Sequence, residues 1–177
     1  MTDSTPDPHR QQNLYLTEVL DFKIACEYIR LYRNALAKRV QLFSTIRAIA
    51  SSGAIGTWAV WQSYPLIWAG IIAASQVADA LKDVIPFAAR HKAAVAAVYR
   101  LDALFIDALY DAEGVYGGRF TDEQIRDLRF KLLRLRQKNE KELFPDGNLP
   151  ERADLYALAE TTATAYFDST FGPRVTA

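Results

Sequence analysis

The sequence is poor in the residues that most often carry chemistry. One cysteine, two histidines and one methionine occur among 177 residues. A lone Cys26 rules out a disulfide framework and leaves almost nothing for a Cys-based zinc site. Neither sign of charge is in excess, with 21 basic and 21 acidic side chains. No global field therefore draws the chain to nucleic acid, and any anion-binding surface must be local. There is no glycine-rich phosphate loop, no GxGxxG, no HExxH and no GxSxG. These absences argue against an enzyme and give no reason to expect a cofactor or a metal. A physical role is expected in place of a chemical one.

The most informative absence is local. Residues 48–78, AIASSGAIGTWAVWQSYPLIWAGIIAASQVA, contain no charged side chain, and the rest of the chain carries them all. Within this run Pro65 follows Gln62, Ser63 and Tyr64. Proline is excluded from a helix interior but fits a first turn, so two helices are expected, about 48–61 and 66–81. Trp58, Trp61, Tyr64 and Trp68 gather at the turn, as amphipathic aromatics do where hydrocarbon meets water. Lys38, Arg39 and Arg47 precede the hairpin, and Lys82, Arg90 and Lys92 follow it. That pattern predicts a membrane hairpin with both termini cytoplasmic. Ser52 with Gly56, and Gly70 with Ala74, are spaced for close helix packing.

Length weighs against insertion. Each uncharged half spans only ~22 Å of helix against a hydrocarbon core of ~30 Å. Full spans must include Arg47 and Lys82, which can snorkel to the interface. Gln76 and Asp79 would then sit near one end as candidate polar or pore-facing groups. The competing reading buries the same hairpin as the central pair of a soluble helical bundle.

The remainder is helical by its periodicity. Phe22, Ala25, Ile29, Tyr32, Leu36, Val40 and Phe43 form one apolar stripe on a long helix, with Lys23, Arg30, Arg33 and Lys38 off it. Ala94, Val98, Leu101, Phe105 and Ala108 form a second stripe, ended by Gly117 and Gly118. Thr121 to Gln124 reads as a capping box before a helix with Ile125, Leu128, Leu132 and Leu135 on one face. The helix stops near FPDGN, and a last helix runs from about Pro150 to Phe171, ended by Gly172 and Pro173. The predicted class is all-α: a disordered leader over 1–13, a long amphipathic helix over 14–47, a hydrophobic hairpin over 48–81, and cytoplasmic helices over 82–172 packing with 14–47. The leader has no apolar core of a secretory signal.

Three smaller groups are candidates for sites. Arg126, Arg129, Arg134, Arg136 and Lys138 make one helix locally basic, suited to anionic headgroups or a phosphate-bearing ligand, or else to a solvated, ion-paired face. Asp102, Asp107, Asp111 and Glu113 form an acidic group better read as solvated or ion-paired than as metal-binding. His9 lies in the leader, His91 lies between two cations just past the hairpin, and Cys26 is expected to be a buried structural thiol.

The hairpin SSGAIGTWAVWQSYPLIWAGIIAASQVADAL, its entry YRNALAKRV and the following RHKAAVAAVYRLDAL together resemble the SLATT-type two-transmembrane effectors of bacterial nucleotide-signalling and anti-phage defence systems. The likeness is one of layout over about residues 28–171. It implies an oligomerising effector that perturbs the bacterial inner membrane when activated, with the lipid bilayer, further copies of itself and an activating protein as partners. No nucleic acid is expected. The alternative is a cytoplasmic, soluble all-α interaction or adaptor module that oligomerises through its long helices. An anion binder with an inert anchor is a third, weaker reading.

Overall fold

One helix of 47 residues, α1 (Arg10–Gly56), opens the structure, a computed structural model that describes residues 9–56, 66, 69–70, 73–74, 76–77, 80, 87–143 and 152–172. It is followed by α2 (Phe87–Tyr116), α3 (Asp122–Leu143) and α4 (Ala153–Phe171). The chain is all-α, with no strand among the described residues. Among those residues no helix is long and apolar enough to cross a membrane. The tryptophan turn, Trp58 to Trp68, has its aromatic residues outside the described set, as are Asp79 and Lys82.

The chain divides into two units, residues 1–32 with 93–177, and residues 33–92. This differs from the expected grouping, in which all of 14–47 packs with the C-terminal helices. α1 begins at Arg10, so residues 10–13 form its first turn where a leader was expected. It also runs through position 48 without a break. The loss of charge there is a change of composition, and nothing in the sequence at that point can stop a helix.

In the first unit, the start of α1 and most of α2 lie antiparallel. Tyr15 donates to the carbonyl of Ala108 at 3.4 Å, and the Cys26 thiol points at the carbonyl of Leu101 at 3.8 Å. The expected stripes meet here: Phe22 and Ile29 of α1 and Ala94, Val98, Leu101, Phe105 and Ala108 of α2 are buried. The buried face of α1 is wider than its stripe predicts, because Tyr15, Val19, Leu20 and Ile24 are buried too. α3 adds Ile125 and Leu132, and α4 adds Ala159, Ala163 and Phe167. Each large side chain fully buried in this way contributes roughly 1.5–3 kcal/mol. The small residues Ala97, Ala112, Ala159 and Ala163 let the helices approach closely enough for the aromatic rings to interlock.

Local signals set the helix ends. α2 ends in a Schellman motif: the Arg119 N–H donates to Gly114 O at 2.9 Å and the Gly118 N–H to Val115 O at 3.1 Å. Gly118 takes the left-handed φ of 70° that this ending needs. Thr121 and Gln124 form the expected capping box, with the Thr121 N–H donating to Gln124 Oε1 at 2.9 Å and the Gln124 N–H to Thr121 Oγ1 at 3.4 Å. Gly172 closes α4 with φ 84°.

In the second unit, α1 continues to Gly56, and residues 66, 69–70, 73–74, 76–77 and 80 are helical. Leu36 is buried, while Leu42 is largely exposed.

Candidate functional site

Two features of the first unit stand out, one buried and one exposed. The buried one begins with Lys23, which was expected off the apolar stripe and lies instead inside the unit. Its ammonium sits 4.7 Å from the ring centre of Phe105 and 4.5 Å from that of Tyr166. It pairs with Glu27 one helical turn on, at 2.9 Å. Glu27 also accepts from Arg30 at 2.9 Å, and Arg30 reaches Asp102 on α2 at 2.8 Å. The two rings and the carboxylate offset part of the hydration that this cation gives up on burial. Among the described residues no buried side-chain polar atom lacks a hydrogen-bond partner.

Cys26 lies beside this network as a buried free thiol. Burial, reinforced by the negative charge of Asp102, pushes its pKa up to about 12. Such a thiol stays protonated and is a poor nucleophile. Asp102, from the acidic group, is thus an ion-pair partner joining α1 to α2. Tyr15 is also shifted upward, first by burial and then by Asp111. Among the described residues no three His, Cys, Asp or Glu side chains group to hold a metal ion.

The exposed feature is a row along α2. Tyr99, Ile106 and Tyr110 are 72%, 66% and 65% exposed, and Ala103 between them is exposed as well. Their steps of four, three and four residues place them on one face of the helix. The periodicity of Ala94 to Ala108 predicts only the buried stripe of this helix, although Tyr99, Ala103, Ile106 and Tyr110 carry the same periodic signal. The helix thus carries two apolar stripes, one buried in the core and one exposed.

The basic helix, α3, distributes its cations among carboxylates. Arg129 pairs with Glu18 of α1 at 2.9 Å, Arg136 with Glu140 at 2.9 Å, and Arg126 with Glu123 at 3.6 Å. Arg134 and Lys138 lie on the same helix. The His9 Nδ1–H donates to Gln12 Oε1 at 2.8 Å at the start of α1.

Of the residues expected to pack or face lipid in the hairpin, Arg47, Ser52 and Gly56 fall in α1, with their side chains outside the described set. Gly70, Ala74 and Gln76 are helical and exposed. Among the described residues, a methyl group added at Gly70 would meet nothing within 4 Å.

Compared with known proteins, the chain matches no family model. No curated protein and no solved structure matches it either.

Proposed function

We propose that this protein is a non-catalytic helical interaction module that assembles with copies of itself through its long helices. The observation that carries this reading is the exposed apolar row on α2, Tyr99, Ala103, Ile106 and Tyr110, opposite a face that is already fully used in the core. Large apolar side chains aligned on one helix face mark a contact surface more specifically than scattered ones do. The Lys23–Glu27–Arg30–Asp102 chain, buried at Lys23 and Glu27 and partly exposed at Arg30 and Asp102, suits a scaffold, since it ties α1 to α2 in one register.

A second reading is favoured by one specific observation. Leu66 and Val77 are 87% and 57% exposed within a segment of about 31 uncharged residues. Such a segment suits an apolar environment. Together with the SLATT-like layout, it supports a membrane-perturbing effector at the bacterial inner membrane, activated by a partner protein.

Fractionation after expression, followed by light scattering on the purified full chain, separates the two. The interaction module is recovered without detergent and has the mass of a multimer. Recovery only with detergent, resistant to high salt and to alkaline wash, would replace it with the effector reading.

A further inference from the structure

Resting on the self-assembly reading, we propose that α2 pairs with α2 of a second copy in antiparallel orientation about a two-fold axis near Leu104 and Phe105. The exposed row carries a heptad pattern, with Ala103 and Tyr110 seven residues apart, and Tyr99 and Ile106 seven apart. Arg100 and Asp107, also seven apart and both exposed, flank one side of that row.

Orientation follows from size and charge. In the antiparallel arrangement Tyr99 faces Tyr110 of the second copy and Ala103 faces Ile106, so each small residue receives a large one. The same register places Arg100 beside Asp107 of the second copy, and symmetry repeats the pair on the other side of the axis. A parallel pairing would set Ala103 against Ala103, leaving a gap. It would also bring Asp102 beside Asp107, a like-charge contact. The pattern therefore selects one of the two arrangements.

The groups that would form the contact are free to do so. Among the described residues Arg100 is held only by an exposed pair with Glu142 at 3.2 Å, of the kind that binds weakly. Asp107 has no ion-pair partner among the described residues. Arg119 lies 5.9 Å over the Tyr110 ring, which leaves that side chain 65% exposed.

Charge exchange tests this on the full chain, with mass read by sedimentation. Arg100→Asp alone, or Asp107→Arg alone, creates two like-charge contacts in a homodimer and should weaken it about tenfold. Mixed in equal amounts, the two variants should recover wild-type affinity, because only a pair of unlike chains restores opposite charges at both contacts. Ile106→Arg should give monomer with unchanged helical circular dichroism. If the wild type assembles but the mixture shows no recovery, or Ile106→Arg still assembles, this interface is wrong while self-assembly stands. A wild type that stays monomeric at every concentration overturns the interface and the self-assembly reading alike.

Discussion

The Lys23 ammonium lies between the rings of Phe105 and Tyr166, 4.7 Å and 4.5 Å from their centres, although Lys23 and these rings come from three different helices. Glu27 balances that charge and Arg30 at once. The two residues of the Lys23–Glu27 pair are therefore not equivalent. Removing Lys23 leaves Glu27 still paired with Arg30. Removing the Glu27 charge strands one buried cation and weakens a second.

Glu27→Gln is accordingly expected to destabilise the fold by about 3 kcal/mol, within the range for breaking a buried pair. Lys23→Met should cost less, because methionine keeps the apolar stem between the rings. Urea unfolding of both variants checks the order. Equal costs would show that Glu27 does not serve the two cations jointly.

Alkaline pH should expose Cys26. Its folded value is pushed above its ordinary one, 9.0, to about 12 by burial and by Asp102. The stability tied to the protonated thiol is complete below about pH 9 and is lost as pH rises toward 12, by about 1.4 kcal/mol per pH unit. Tyr15, also raised, adds to the loss above about pH 10. Cys26→Ala removes the thiol's part of this slope, so its stability deficit against wild type should shrink between about pH 8 and about pH 10.5. A constant deficit would mean that the thiol ionises alike in both states. In the folded protein near neutral pH, the thiol should also resist aromatic disulfide reagents until denaturant is added.

At the α2–α3 turn, Gly118→Ala isolates a backbone cost. A methyl group there meets nothing within 4 Å, while φ is 70°. The expected loss is about 1 kcal/mol, all of it from the left-handed conformation. Gly114→Ala differs, since its new methyl group would fall 2.5 Å from the Phe120 ring. Its cost should shrink when Phe120 is also replaced by Leu, and a double-mutant cycle on thermal unfolding reads that coupling. Independent, additive costs would mean that the ring moves aside freely.

Most of the fold was legible in the sequence because periodicity and helix-end chemistry are local. The stripe from Ala94 to Ala108 is buried as its spacing predicts, and Thr121 and Gln124 cap α3 as their types predict. What was hidden depends on distant partners. Lys23 reads as a surface cation because its cage comes from Phe105 and Tyr166, far along the chain. The available clue was Glu27, one turn after Lys23 and three residues before Arg30. The Tyr99–Tyr110 row was visible in principle, but a second stripe on one helix is hard to notice until the first is known to be buried. The boundary near residue 47 is one of charge, and the periodic stripe leads directly into the uncharged run, as α1 does to Gly56.

The most direct measurement is the molar mass of the full chain in detergent-free buffer, followed by light scattering over a wide concentration range. One chain is 19.9 kDa. The account predicts a mass that rises with concentration to twice that value or a higher multiple, and that Ile106→Arg returns to the monomer. A wild-type mass fixed at 19.9 kDa throughout, or a chain that stays in solution only with detergent, would contradict it.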